Sequence, residues 1–576
     1  MGSELSVKPD SKPGIILDGV SIWWACWACI WTAAVVAGMT FLIIRRNSPT
    51  LRIRGIYLSL SSIVLLHLYW IAVQFGYMLG PLMPGDAQYW IMGTYLPCGI
   101  ALFHASNSRF LHVAKLQKKY AHRDSNAIDH QNSKYRNGWI ARFRRLDYDI
   151  RILIIVGIGM VFQIFLTCLM WIISRKWHSS WGIPGTGVHG PIMAQKMEQG
   201  RGWEWWPGVA WQFIWAWFVA PYILWKSRNI HDTQGWRVQT IGCALSNLHA
   251  TPMWLIGLYV PGMAPVNEYF LPPQWICLSI IFMEIFTVFL PCWEVMRTQN
   301  LRKETLDTIA QWENKTKASD SGSKSLNSSS STIINSILSG WKSSKGSVNS
   351  SESDSVLSMS ALEYVLQRNP GPLQEFSALR DFSGENIAFL NSVKEWKNTF
   401  PMAVLNSEGQ KGDDVKELIH ERFGRALRIY ADFISPRYAE FPINISSQDL
   451  KKLDSIFETP ARNLYGNKRE SDVDPATPFE APPGLDFLRP PPSPMSCNDS
   501  QKAINITVSG SSSDHAQYWG EIPDAFDEKV FDDAEKSIKY LVLTNTWPKF
   551  IKDHRVSIDS AATLEAGNRV QLAREE

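Results

Sequence analysis

The chain has 576 residues, a formal net charge of +3 and 45% hydrophobic residues. A charge this small, with no tract of Lys and Arg interleaved with aromatic residues in the second half, excludes a nucleic-acid-binding protein. The length predicts more than one folded unit. Apolar residues are concentrated between Gly19 and Trp293, and the sequence is polar from Glu294 onward.

Seven apolar runs in the first half are long enough to cross a bilayer, which takes about 20 residues of helix because the backbone must bond to itself there. The runs are Val20–Ile44, Ile56–Gly80, Tyr89–Asn107, Ile152–Ser174, Gly208–Trp225, Gln239–Val260 and Leu271–Trp293. We therefore expect a seven-transmembrane domain over residues 20–293. The third and fifth runs are the shortest, and aromatic residues suited to the membrane–water interface precede or open both.

The Lys and Arg residues between the runs predict the orientation of the chain. The first, third and fifth connections are basic, and the second and sixth contain no Lys or Arg. Because positive loops stay on the cytoplasmic side, we expect the N-terminal tail, residues 1–19, outside and the C-terminus in the cytoplasm, at the plasma membrane or an endomembrane. The fourth connection is an exception, since it carries Lys176 and Lys196 yet has to face outside.

Polar side chains inside apolar runs are candidates for function because burying them in lipid costs free energy. The candidates are Glu284, His249, Asn247 and His104, with His67 as a further weak one. Glu284 is the strongest because it lies near the middle of the seventh run. Hydrogen bonding between helices, worth about 1 kcal/mol for each contact, is the structural alternative for all of them.

No cofactor or metal site is expected. Gly185, Gly187 and Gly190 match the spacing of a dinucleotide-binding loop, but that loop needs a preceding strand and a following helix. Here the three glycines lie between two predicted spans.

The second half is predicted to be all-α. A juxtamembrane helix and a Ser-rich linker occupy residues 294–357, and a helical domain occupies residues 358–556. Pro, Ser and Gly interrupt this domain at about residues 459–522, which predicts a disordered insertion. One amphipathic helix is expected to end at Phe457, just before that insertion. Residues 557–576 form a C-terminal tail.

Three segments of this helical domain resemble the regulator of G-protein signalling (RGS) family. Residues 376–390 read FSALRDFSGENIAFL, similar to the family's F-S-x-E-N-I-x-F-W segment. Residues 441–446 read FPINIS, which resembles its I-N-L-S turn. Residues 531–535 and 546–551 read FDDAE and TWPKFI, similar to F-D-x-A-Q and S-Y-P-R-F-L. The architecture resembles the seven-transmembrane RGS proteins of fungi and plants.

This resemblance implies a GTPase activator without chemistry of its own. RGS domains hold the switch loops of a GTP-bound G-protein α subunit (Gα) in the transition-state arrangement, while Gα supplies the catalytic Arg and Gln. The residues that would contact Gα are Ser383, Glu385, Asn386, Asn444, Leu541, Asn545, Thr546 and Lys549. The implied partners are Gα, the lipid bilayer and a small-molecule ligand sensed by the spans.

The sequence departs from the family pattern at three positions. Asn545 stands where the family has Asp, Lys549 where it has Arg, and Leu390 where it has Trp. Lys lacks the bidentate fork of Arg, so these changes predict weaker activity or a preference for a particular Gα.

Two other functions stay open at this point. The chain could be a receptor that activates Gα by nucleotide exchange, although the seventh run lacks N-P-x-x-Y and no acidic residue neighbours Arg109. It could also be a transporter with Glu284 as an ion site and the RGS-like domain as a docking module.

Overall fold

The structure is a computed structural model that describes residues 14–121, 143, 146, 148–178, 180–319, 357–399, 413–465, 518 and 520–553. Most of the predicted N-terminal tail, Ser-rich linker and insertion, and the whole C-terminal tail, lie outside the described residues. The described residues form two compact units. The first contains residues up to 391 and 536–553, and the second contains residues 392–465 and 518–535.

Within the described ranges every regular element is a helix, as the sequence predicts. The helices of the apolar part are α1 (Gly19–Ile44), α2 (Pro49–Arg54), α3 (Ile56–Leu79), α4 (Ala87–Gln117), α5 (Tyr148–Ile173), α6 (Ile192–Gln199), α7 (Trp206–Ile214), α8 (Ala220–Ser227), α9 (Trp236–Asn247), α10 (Ala250–Tyr259), α11 (Ala264–Asn267), α12 (Gln274–Glu284) and α13 (Leu290–Ser319). The later helices are α14 (Met359–Arg368), α15 (Gly371–Leu379), α16 (Gly384–Asn398), α17 (Asp413–Ile429), α18 (Ser447–Tyr465) and α19 (Asp532–Leu541).

Five of these helical stretches are long and apolar enough to cross a membrane. They are Gly19–Ile44, Ile56–Leu79, Ile150–Ile173, Trp203–Ser227 and Gln274–Asp307. Large apolar side chains such as Ile158, Val161 and Phe162 on α5 are exposed along them. A face of this kind is stable only against lipid or another apolar surface, so the chain is a membrane protein.

The predicted third and sixth spans do not belong to these five. The third lies within α4, whose buried side chains include His104, Asn107 and Arg109 and lower its mean hydropathy. The sixth is divided between α9 and α10 by a turn at residues 248–249. Pro252 accounts for that break, because it has no N–H to bond to the carbonyl four residues earlier.

Proline also explains four π-helical segments. They are Trp215–Val219, Ile285–Phe289, Tyr430–Ile434 and Val542–Thr546, and a proline stands two residues after each of them, at Pro221, Pro291, Pro436 and Pro548. A proline ring collides with the carbonyl of the preceding turn, and a wider turn relieves that collision. Three of these segments join two helices into one continuous helical stretch, and the last of them contains Thr546.

The core of the apolar part lies between α1, α3, α4, α10 and α12. Tyr69 and Trp70 of α3 are completely buried there, beside Phe103 of α4 and Ile280 of α12. Gly99 lets α3 and α4 approach closely, since a Cβ atom on it would lie 2.7 Å from the Leu66 side chain.

The second unit has an aromatic core of its own. Phe457 of α18 stacks on Phe423 at 5.7 Å and on Phe531 at 5.7 Å between ring centroids. The Tyr430 hydroxyl donates to Asp454 at 2.7 Å, and burial raises the pKa of that carboxyl. These contacts close a helical unit around α17 and α18.

Helix α18 is longer than the sequence predicts. The Thr459–Pro460 pair was expected to begin the insertion, but the helix continues to Tyr465 and buries Pro460 and Ala461. Burial of these apolar residues against the second unit outweighs the one hydrogen bond lost at the proline.

Candidate functional site

Two of the three RGS-like segments meet at the buried carboxylate of Asp381. One carboxylate oxygen accepts from Lys549 Nζ at 2.7 Å, and the other accepts from Thr546 Oγ1 at 2.9 Å and Ser383 Oγ at 2.9 Å. The Asp381 side chain is completely buried and that of Lys549 is 12% exposed. This ion pair holds the start of α16 against the helix that follows the last π-helical segment.

The predicted Gα-contacting residues of these two segments are mostly buried. Ser383, Glu385, Asn386 and Thr546 are each at most 8% exposed. Leu541 and Asn545 are half-buried. Asn444 is exposed and belongs to the second unit. Most of these side chains are therefore covered in this structure.

Gln117, the last residue of α4, covers the start of α16. Its Nε2 donates to Glu385 Oε2 at 2.8 Å, and its Oε1 accepts from the backbone N–H of Gly384 at 3.0 Å. Gln117 is completely buried. Next to it, the backbone carbonyl of Tyr120 accepts from Gln374 Nε2 at 2.6 Å.

The connection between α8 and α9 covers the segment before α16. The Thr233 N–H donates to the Arg380 carbonyl at 2.8 Å, and the Thr233 hydroxyl donates to Asp381 at 2.9 Å. Gln234 Nε2 donates to the Asp381 carbonyl at 2.6 Å. Asp232 fixes the shape of this connection by accepting from the N–H groups of Trp236 and Arg237 at the start of α9.

Phe382 packs into the same end of the apolar part. Its ring lies 6.1 Å from that of Phe110 and 6.5 Å from that of Trp236, both edge-on. Its φ of 51° lies in the left-handed region, which costs a bulky residue about 1–3 kcal/mol. Burial of its ring, which is 1% exposed, offsets that strain.

Burial also disfavours the charge on Glu385. Desolvation is the main cause that raises its pKa to about 7, the nearby Asp381 raises it further, and the Gln117 hydrogen bond and the charge of Arg52 lower it. Asn386 Oδ1 and Asn545 Oδ1 are buried with no hydrogen-bond partner in the described part of the chain. Each such atom costs about 1–3 kcal/mol.

A second polar cluster surrounds Glu284 within the apolar part. Trp31 Nε1 donates to one carboxylate oxygen at 2.5 Å, and His67 Nδ1 lies 2.7 Å from the other. His67 Nε2 lies 3.1 Å from the Thr32 hydroxyl. Glu284 is completely buried, so this cluster links α1, α3 and α12.

The other predicted intramembrane residues are not ligands of Glu284. His104 stacks on Trp215 at 4.9 Å, and its Nδ1 has no hydrogen-bond partner among the described residues. Asn247 Oδ1 accepts from Ser279 at 2.8 Å. Both line a small cavity, and His249, half-buried, is not among the residues that line it.

Sequence reasoning missed Gln117 beside Glu385 and Thr233 and Gln234 beside Asp381. It also missed Trp31 beside Glu284 and Thr32 beside His67. These residue types are common in loops and spans, so no local sequence pattern identifies them. In the described ranges no group of three or more His, Cys, Asp and Glu side chains could hold a metal ion. The chain matches no protein-family model, no curated protein and no solved structure.

Proposed function

We propose that this chain is a membrane-held GTPase activator of G-protein α subunits, with an RGS-like helical domain in the cytoplasm. The observation that supports it most is the meeting of two RGS-like segments at Asp381, since Ser383 Oγ lies 3.2 Å from Thr546 Oγ1 across 163 residues of sequence. The resemblance requires these two segments to act on one partner, and their contact satisfies that requirement.

The proposed mechanism is preorganisation. Glu385 and Asn386 start one helix, and Asn545 and Thr546 lie in the π-helical segment of the facing one, so their polar groups could bind the switch loops of Gα together. Asn444, from the third segment, would reach toward the water-orienting Gln of Gα. Binding the transition-state arrangement more tightly than the ground state lowers the barrier without a new catalytic group.

The proposed topology has seven crossings, with the N-terminus outside. Helix α4 has 31 residues, which at about 1.5 Å per residue exceeds the bilayer core of about 30 Å. It would supply the third crossing, and α9 with α10 the sixth. The basic fourth connection fits this topology, because Lys176 pairs with Glu204 at 2.8 Å and Lys196 Nζ donates to the Pro81 and Met83 carbonyls.

Single-turnover GTP hydrolysis by purified Gα tests the proposal. The full chain in lipid nanodiscs, at concentrations well above that of Gα, is expected to accelerate hydrolysis by about tenfold or more, a barrier lowered by about 1.4 kcal/mol. Asn444→Ala should abolish the acceleration. Gln448→Ala, which removes another exposed amide nearby, should preserve it. Unchanged hydrolysis with all three proteins refutes the proposal.

A transporter is the second candidate, and the buried Glu284 cluster favours it. A carboxylate that bridges three helices inside a membrane can carry a proton or a cation. Proton uptake into liposomes that contain the chain, lost in Glu284→Gln, would support that function.

A further inference from the structure

We infer that the apolar part of this chain holds its own RGS-like segment in a docked, inhibited state. This inference rests on the proposed function. The docking surface is the end of the apolar part formed by Phe110, Gln117, Thr233, Gln234 and Trp236. It is here called the basic end because Arg54 donates to the Gln234 carbonyl and the charge of Arg52 acts on the docked Glu385. It covers the same residues that the resemblance assigns to Gα.

Docking and Gα binding exclude each other at Glu385. In the docked state Gln117 occupies both the Glu385 carboxylate and the N–H of Gly384 at the start of α16. A Gα switch loop would need the Glu385 carboxylate, and Glu385 is only 8% exposed. The basic end therefore has to leave before Gα can bind.

The second docking contact fixes the segment before α16. Thr233 and Gln234 bind Arg380 and Asp381 through three hydrogen bonds, and the Phe382 ring packs edge-on against both Phe110 and Trp236, whose own rings lie 5.2 Å apart. Asp381 also forms the ion pair with Lys549. The same carboxylate thus links the basic end to both Gα-binding segments.

The docked state contains three local costs. Phe382 holds a left-handed conformation, Glu385 is buried as a carboxyl, and Asn386 Oδ1 lacks a hydrogen-bond partner within the described residues. Costs of this kind keep a contact reversible, because the partner that replaces it can satisfy the groups that docking leaves unsatisfied.

The spans could change the docked population through Arg54. Its guanidinium donates to Gln239 Oε1 of α9 at 2.8 Å and to the Gln234 carbonyl. The position of Gln234 therefore depends on how α2 and α9 pack. A ligand that shifts these helices would move a residue that binds Asp381.

Hydrogen exchange and GTP hydrolysis on the full chain in nanodiscs test the inference together. Gln117→Ala removes both contacts of the Gln117 amide from the membrane side and leaves every predicted Gα-binding residue in place. We expect exchange in residues 380–386 to rise about tenfold, and activation at sub-saturating concentration to rise about tenfold, the effect of losing a charge-assisted hydrogen bond.

Two further variants make the result specific. Thr233→Val removes the hydroxyl that donates to Asp381 and leaves the side-chain volume nearly constant. It should raise exchange and activation as Gln117→Ala does, and it replaces that variant if Gln117→Ala folds poorly. Lys118→Gln alters an exposed neighbour of Gln117 and should change neither readout.

The outcomes distinguish failure of the docked inhibition from failure of the GTPase activation. Faster exchange with higher activation supports docked inhibition. Equal activation by wild type and both release variants overturns the inhibition but keeps the proposed function. Faster exchange without activation by any variant leaves the docked contact and refutes both the activator function and its inhibition.

Discussion

Lys549 Nζ lies 2.7 Å from Asp381 Oδ1, although 168 residues separate them in sequence. The carboxylate is completely buried and also accepts from Ser383, Thr546 and Thr233. By resemblance Lys549 would face Gα. In this structure its charge is used inside the chain, where it compensates a carboxylate that water does not reach.

Replacing Lys549 should therefore destabilise the chain before it affects any partner. Lys549→Met keeps the apolar stem of the side chain but removes its charge. The Asp381 carboxylate would then accept only from hydroxyl groups, which should lower the free energy of unfolding by about 2–3 kcal/mol. Thermal unfolding of the detergent-solubilised chain measures this loss. Lys552→Met, on the same helix and exposed, is the matched control. Equal melting temperatures for the two variants would show that the ion pair contributes nothing.

Glu284 and His104 should respond in opposite ways to loss of polarity. Glu284→Gln replaces one of the two acceptor oxygens, either the one that accepts from Trp31 or the one beside His67, with an N–H₂ group, so we expect about 1–3 kcal/mol of destabilisation. His104→Phe keeps the stacking on Trp215 and removes a buried nitrogen without a hydrogen-bond partner in the described ranges. It should be neutral or stabilising.

Thermal unfolding of both variants in one lipid composition decides this comparison. A stable Glu284→Gln protein would mean that the hydrogen bonds of Trp31 and His67 do not hold α1, α3 and α12 together.

Docking should weaken as the pH rises. Burial raises the pKa of Glu385 from 4.5 to about 7, so the docked state binds a proton more tightly than the undocked state does. The stabilisation is complete below about pH 4.5 and is lost as the pH rises through 7, with a span of up to about 3 kcal/mol. Asp381 and Arg52 are the charged groups that act on it, with opposite signs.

Hydrogen exchange of residues 380–386, corrected for the intrinsic pH dependence of exchange, measures this change between pH 5.5 and 8. Glu385→Gln should flatten the profile. A wild-type profile that is already flat would contradict the burial of an ionisable group at this contact.

The proposed topology predicts which ends react with a membrane-impermeant maleimide. In a Cys497→Ser background, Gly187→Cys should be labelled on intact cells, and Lys118→Cys only after permeabilisation. Unsubstituted background protein controls for the cysteines of the spans. Labelling of Lys118→Cys on intact cells would reverse the orientation and place the RGS-like domain outside.

The helices were predictable from the sequence, but their ends and the breaks within them were less so. In the described part of the chain, helices lie where apolar runs and amphipathic periods predict them, since burial or lipid contact sets those periods. Two predictions at prolines were wrong in opposite directions. The sixth run was predicted as one span but is divided before Pro252, and α18 was predicted to end before Pro460 but continues past it. A proline shows where a backbone hydrogen bond is lost, whereas packing decides whether the helix stops there.

The two clusters were only half predictable. Glu284 and Glu385 could be selected from a charge within an apolar run and from a family-like motif. Their partners Trp31 and Gln117 lie 253 and 268 residues away along the chain. Contacts at such separations follow from tertiary packing, so one sequence without structure does not identify them.

Affinity for Gα in its different nucleotide states gives the sharpest test of GTPase activation by this chain. We would measure binding of the Gln117→Ala chain in nanodiscs to Gα loaded with GDP, with a non-hydrolysable GTP analogue and with GDP plus aluminium fluoride, which mimics the transition state. The account predicts the tightest binding to the aluminium fluoride state, by about tenfold or more, as preorganisation requires. Equal affinity for all three states, or no binding, would contradict it.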